Sequence, residues 1–281
     1  MIKAVFCDID GCMGDFVKPK HPLKQDLYTA KEGLSRIKRK VEEFPIPDVL
    51  FGVCTARSFY QADHIMEFSG HQGPSIFEMG NVIYEPSRGV YYLFETHEKF
   101  EGNVDLIREF IDWKNKMKNE ENRLEEKFPD SGIRQIKSRN SMLTYEFESD
   151  IGAELSDSLL EEMPTEFRNA IDGGLLKVVL SRNAIDILPN LSKGEAVDYL
   201  IGLYGIKKEE VLAIGDSSHS DIDLLNSAGL MACPDNADEE LKKFVLDHGG
   251  FIVPNNSNQG LLNVLDLVAT YLRFDQMRNG N

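Results

Sequence analysis

Phe6-Cys7-Asp8-Ile9-Asp10-Gly11 sets two carboxylates two residues apart at the end of a short apolar run. In an extended chain, side chains two apart point the same way, and the glycine behind them permits a sharp turn. Two such carboxylates, joined later in the chain by Asp216, make an oxygen-rich cluster suited to a hard cation such as Mg2+. An acidic turn between strand and helix has the same composition. The rest of the chain decides between the two.

Two further runs end in the same way. Val49 to Cys54 leads into Thr55, and Val211 to Ile214 leads through Gly215 into Asp216. Short continuous apolar runs between helical patterns are how buried parallel strands read. Ligands of such open sheets bind beyond the carboxyl ends of the strands, so three reactive side chains at three strand ends predict a shared site. The helical stretches agree. Leu34, Ile37 and Val41 share one face of a helix over 30–43 that Pro45 and Pro47 stop, and 58–69 is a helix closed by Gly70. Ser192-Lys193-Gly194-Glu195 has the spacing of a capping box. Behind it Ala196, Val197, Leu200, Ile201 and Tyr204 form an apolar stripe. Lys193 then falls in a first helical turn, where exposed N–H groups already favour an anion.

Between these flanks the texture changes. Pro86-Ser87-Arg88-Gly89 within 81–94 reads as a hairpin, and 104–128 as a charged amphipathic helical region. Residues 142–148, 175–181 and 184–188 read as strands, with a helix around 153–162. The prediction is an α/β fold: a Rossmann-like three-layer core with a parallel central sheet, built from 1–82 and 186–281. An α+β insertion is expected over 83–185. Trp113, Phe110 and Met117 sit at helical spacing and are expected to pack inside that insertion.

Composition narrows the function. The 281 residues are 42% hydrophobic and 28% charged, as in ordinary globular proteins. A net charge of -16 repels polyanions, whereas nucleic-acid binders carry a basic stripe, so no nucleic-acid partner is expected. No apolar run reaches membrane-spanning length, and the opening residues reach Asp8 too soon for a signal-peptide core. Neither a membrane partner nor a location outside the cytoplasm is expected. Cys7, Cys12, Cys54 and Cys233 are too few and too unevenly spaced for a disulfide scaffold or a zinc site, and read as free thiols. An acidic protein that handles a phosphate ester must draw local positive charge from a metal, a lysine or helix N-termini.

Four segments carry a resemblance. Asp8-Ile9-Asp10-Gly11, Val53-Cys54-Thr55-Ala56-Arg57, Lys193 at its helix start, and Gly215-Asp216-Ser217-Ser218-His219-Ser220-Asp221 follow one another in that order. They resemble the four signature motifs of the haloacid dehalogenase-like superfamily. The insertion is placed and sized like the large α/β cap of the branch with Cof-type, sucrose-phosphate and mannosyl-phosphoglycerate phosphatases. Ser75 to Asn81 resembles the entry to that cap. Asp186 to Pro189, followed by Ser192-Lys193-Gly194, resembles its exit.

The resemblance implies a Mg2+-dependent phosphatase working through an aspartyl-phosphate. Its partner would be a small phosphate ester, a phosphosugar or a sugar-acid phosphate. Asp8 would be the nucleophile, and Asp10 would protonate the leaving oxygen and then take a proton from water. Thr55 would hydrogen-bond a phosphoryl oxygen, and Lys193 would neutralise charge between it and Asp8. Mg2+ would sit on Asp8, the backbone carbonyl of Asp10, and Asp216, with Asp221 binding it directly or through water, or holding Lys193. Gly11, Ala56, Arg57 and Asn81 are substrate candidates in the core, and Lys177, Arg182 and Asn183 in the cap. Arg57 reads equally as half of a surface ion pair, and His219 as a hydrogen-bonded loop histidine.

Two departures stand out. Gly11-Cys12-Met13 replaces the family's usual Gly-Thr-Leu, and the long polar stretch over 12–26 reads as a flap over the site. A sugar-phosphate phosphomutase is the nearest rival, but such enzymes carry a glycine-rich fourth motif unlike Asp216 to Asp221. A catalytically silent phosphate-binding protein has no need of intact Asp8, Asp10, Thr55, Lys193 and Asp216.

Overall fold

A computed structural model of the chain describes residues 1–14, 24–117, 120–148, 151–181 and 183–279. The chain divides into two compact units, Met1–Tyr91 with Ser192–Asn281, and Tyr92–Leu191. The first unit opens with β1 (Ala4–Cys7), α1 (Lys24–Glu42), β2 (Leu50–Val53), α2 (Phe59–Ser69), β3 (Ser75–Phe77), β4 (Val82–Glu85) and β5 (Gly89–Tyr92). The second holds α3 (Val104–Lys116), α4 (Glu120–Lys127), β6 (Arg134–Gln135), β7 (Leu143–Glu146), α5 (Gly152–Glu162), α6 (Thr165–Asp172), β8 (Leu176–Leu180) and β9 (Ala184–Pro189). The first resumes with α7 (Lys193–Leu203), β10 (Val211–Ile214), α8 (Ser218–Asn226), β11 (Leu230–Pro234), α9 (Glu239–Asp247), β12 (Phe251–Val253) and α10 (Ser257–Asn279).

The first unit is an α/β fold on a five-stranded parallel sheet in the order β12-β11-β10-β1-β2. Every side chain of β1 is buried, which requires cover on both faces and explains its continuous apolar sequence. Val5 and Phe6 alone contribute about 1.5–3 kcal/mol each through burial. The chain leaves β1 to one side for β2 and later returns on the other side through β10. That makes the carboxyl end of β1 the switch point where open α/β sheets bind ligands. A parallel bridge from Cys54 to Ile76 attaches β3, which carries β4 and β5 in a small sheet of its own.

In the second unit a four-stranded antiparallel sheet, β6-β7-β9-β8, packs with α5 and α6. Phe110 is buried with its ring against Trp113 and Phe167. The units part at 91/92 and 191/192, whereas the sequence reading set the insertion at 83–185. The hairpin β4–β5 hydrogen-bonds to β3 and stays with the first unit. β9 pairs with both β7 and β8, and Asn190 N donates to Leu175 O, which keeps the chain to Leu191 in the second. Most of the expected flap, 15–23, and Arg182 lie outside the described residues. No helix among the described residues is long and apolar enough to cross a membrane.

Candidate active site

Parallel pairing aligns three strand ends. Cys7 lies opposite Ile214 on one side and Val53 on the other. Asp8 N donates to Ile214 O and Cys54 N to Cys7 O, each at 2.9 Å. Asp8, Thr55 and Asp216 therefore leave the sheet at one edge, and the sheet's register, not their sequence spacing, brings them together.

Lys193 reaches this edge from the first turn of α7. The capping box forms as its spacing predicts: Ser192 Oγ accepts from Glu195 N at 3.1 Å, and Glu195 Oε2 accepts from Ser192 N at 2.8 Å. Lys193 Nζ lies 2.6 Å from Asp221 Oδ1 and 3.1 Å from Asp8 Oδ1, all three side chains being buried. Burial by itself depresses a lysine, but Asp221 and then Asp8 outweigh it and hold the ammonium well above its ordinary value.

Asp221 is the hub of the last motif. Its Oδ2 accepts from the backbone N–H groups of Asp216 and Ser217 at 3.0 and 3.1 Å. Its Oδ1 takes Lys193 and the hydroxyl of Ser220 at 3.0 Å. Four hydrogen bonds thus close the loop carrying Asp216 and anchor the lysine.

One oxygen each from Asp8, Asp216 and Asp221 lie within 4.8 Å of one another. Burial, with neighbouring carboxylates adding, pushes Asp8 up to about 7 and Asp216 up to about 8, against the pull of Lys193. One ammonium does not balance three carboxylates. Asp8 Oδ1 is buried and, though ion-paired with Lys193, receives no hydrogen bond. An all-oxygen donor set with excess negative charge and an unsatisfied buried oxygen fits a hard divalent cation. Four hydrogen bonds already engage the oxygens of Asp221, which leaves Asp8 and Asp216 as the carboxylates to hold it.

Gly11 makes this packing possible. Its φ is +74°, and a Cβ there would stand 1.8 Å from Asp216 Oδ2. Asn236 Nδ2 donates to Gly11 O at 2.9 Å, and Asp238 N donates to Asp216 O at 3.0 Å. Neither residue was singled out in the sequence. Their signal is Pro234-Asp235-Asn236-Ala237-Asp238, a turn-rich group at the end of β11.

The other expected residues divide between the two units. Thr55 is buried, with Oγ1 accepting from Arg57 N at 3.2 Å. Arg57 grips Asp10 with Nε to Oδ2 at 2.7 Å and Nη2 to Oδ1 at 2.6 Å. This is the ion-pair alternative, with the motif aspartate as the partner. Asn81 is buried and its Nδ2 donates to Glu78 O at 3.1 Å, bracing a turn in which Glu78, Met79 and Gly80 all have positive φ. His219 is exposed on α8. Burial raises the thiols of Cys7 and Cys54 above their ordinary range, so both behave as packing groups. In the second unit, Lys177 Nζ donates to Leu191 O at 2.7 Å, and Asn183 is exposed with its carbonyl accepting from Phe147 N at 3.0 Å.

Comparison with known proteins agrees with this geometry. The family model described as haloacid dehalogenase-like hydrolase matches residues 5–265. A phosphoglycolate phosphatase of Sulfolobus acidocaldarius is 27% identical over 271 residues, covering 96% of this chain and 98% of the relative. A 5-amino-6-(5-phospho-D-ribitylamino)uracil phosphatase of Escherichia coli is 30% identical over 127 residues, 44% of this chain and 45% of the relative. Among solved structures, a sucrose-phosphatase from Synechocystis shares the fold with a TM-score of 0.59 at 17% identity, covering 95% of this chain and 98% of that one.

Proposed function

The chain belongs to the haloacid dehalogenase-like hydrolase family, and on that premise we propose that it is a Mg2+-dependent phosphatase of small phosphorylated metabolites. The observation that carries this reading is the buried chain Asp8–Lys193–Asp221 with Asp216 beside it. It gives a carboxylate at a strand end a fixed positive partner and an oxygen-rich flank.

The reaction has two halves. An Asp8 oxygen bonds to phosphorus as the bond to the leaving oxygen breaks, and Asp10 gives that oxygen its proton. Water then bonds to phosphorus, its proton passing to Asp10, while the aspartyl-phosphate bond breaks to free Asp8 and inorganic phosphate. Lys193 offsets charge shared between Asp8 and the phosphoryl group. The Thr55 hydroxyl accepts from Arg57 N and keeps its own proton to donate to a phosphoryl oxygen. Asp8, the Asp10 carbonyl and Asp216 would hold Mg2+, whose charge would keep Asp8 ionised and balance the phosphoryl oxygens. Asp221 serves by holding Lys193 and the Asp216 loop. The unit Tyr92–Leu191 acts as the cap that selects the substrate, with Lys177, Arg182 and Asn183 as candidates within it. Cys7, Cys12, Cys54 and Cys233 are free and buried, which suits a reducing compartment and supports a cytoplasmic site of action.

Phosphosugars and sugar-acid phosphates are the substrate class, and phosphoglycolate is the first compound to test because the relative matched end to end bears its name. A phosphate-release screen across such esters, with Mg2+ and with chelator, is expected to show stoichiometric release that chelator abolishes. Release that survives the chelator overturns the reading. Gly11→Ala is expected to push Asp216 aside and raise the Mg2+ concentration needed for half-maximal activity by about 10–100-fold, the range seen when a metal ligand loses its support. A Mg2+ titration of phosphate release checks this, and an unchanged midpoint removes Asp216 as a ligand.

A further inference from the structure

Arg57 stands between two parts of the site. Its backbone N–H donates to Thr55 Oγ1, and its guanidinium holds both oxygens of Asp10. Its carbonyl accepts from Glu78 N at 3.0 Å, which pins the backbone so that the side chain is aimed from a fixed base.

Among the described residues, the cations ion-paired with Asp8, Asp10, Asp216 or Asp221 are Lys193 and Arg57. They differ in how firmly they are committed. The Lys193 side chain is 1% exposed, and parting it from its partners strands buried charges. Arg57 and Asp10 are 21% and 35% exposed. Water reaches both partners, so the guanidinium can change carboxylates without stranding a buried charge as Lys193 would. A planar guanidinium accepts any carboxylate in the same two-point geometry. A substrate that carries a second negative charge into a site with four aspartates needs such a cation.

We infer that Arg57 selects the substrate by exchanging Asp10 for a carboxylate on the leaving alcohol. The preferred ester is then the phosphate of a hydroxy acid whose carboxylate lies one or two carbons from the ester oxygen. The distance follows from Asp10, which acts on that oxygen and is itself within hydrogen-bond reach of Arg57. The exchange recognises the substrate and releases Asp10 in one motion. This rests on the phosphatase reading, which places the leaving oxygen beside Asp10.

The test compares 2-phosphoglycolate with 2-hydroxyethyl phosphate, which differ in a carboxylate against a hydroxymethyl group, and adds p-nitrophenyl phosphate as a general phosphatase probe. Wild-type KM is expected to be at least about tenfold lower for the carboxylated ester, on the scale of a charge-assisted two-point contact. Arg57→Gln should raise that KM by about 10–100-fold, change KM for the neutral ester by less than about threefold, and lower kcat alike for both. Arg57→Lys should recover part of the KM loss. Melting curves confirm that the variants are folded, and the wild-type comparison needs no variant. Hydrolysis of p-nitrophenyl phosphate without preference for the carboxylated ester overturns the inference and leaves the phosphatase reading standing. Equal KM shifts on both esters in Arg57→Gln do the same. Failure to hydrolyse any of the three overturns both.

Discussion

Asp8→Asn is expected to lower kcat by about ten-thousandfold or more, the scale on which loss of a covalent nucleophile acts in other hydrolases. The amide matches the carboxylate in shape but cannot bond to phosphorus and then leave. The buried surroundings of Asp8, with two further carboxylates nearby, disfavour its charge, so the neutral side chain fits them without strain. The variant should therefore fold, bind phosphate in the presence of Mg2+, and fail to turn over. Phosphate release and a phosphate-binding titration on the same preparation check this. Retention of more than about a tenth of the activity would falsify the assignment of Asp8 as nucleophile.

The second large effect is on stability in chelator. Asp8 is raised to about 7 and Asp216 to about 8, both from an ordinary 3.8. Each therefore binds its proton more tightly in the folded chain than in the unfolded one. Their stabilising contribution is complete below about pH 4 and is lost as pH rises through 7 to 8. With each pKa unit worth about 1.4 kcal/mol, the unfolding free energy in chelator should fall by several kcal/mol between pH 4.5 and 8.5. Mg2+ should restore it mainly at the upper end, where both carboxylates are charged. Lys193→Met should steepen the fall, because the charge that holds Asp8 down is gone. Denaturant melts at four pH values, with and without Mg2+, read this directly. A pH-independent stability in chelator would remove the idea that the aspartate cluster is electrostatically overloaded.

The parts of this protein that were legible in the sequence are those set by near neighbours. The unbroken apolar run of β1 called for burial on both faces, and β1 lies inside the sheet between β10 and β2. The capping box at Ser192 depends on four consecutive residues and formed as written. α2 ends at Gly70, whose φ of +76° is the left-handed turn that glycine supplies at a helix end. Elements without a local signature were missed. β12 is three residues between a glycine pair and a proline, and α6 has eight residues with Phe167 and Ala170 as its buried positions. The hairpin β4–β5 was read correctly as a hairpin but grouped with the insertion, because its partner β3 is a matter of sheet pairing.

The sequence by itself singled out the candidate reactive groups and determined the local structure that presents each: Asp8 and Thr55 past strand ends, Lys193 at a helix start, Asp216 beyond Gly215. Periodicity and capping act over three or four residues, so they can be read along a line. Only the tertiary structure decided what these groups do to one another. Lys193 to Asp221 spans 28 positions, Arg57 to Asp10 spans 47, and Asn236 to Gly11 spans 225. Such partnerships depend on strand order and register, which place residues distant in sequence a hydrogen bond apart. The pair of carboxylates that opened the chain is set apart by that packing: Asp8 buried on Lys193, Asp10 partly exposed in the grip of Arg57.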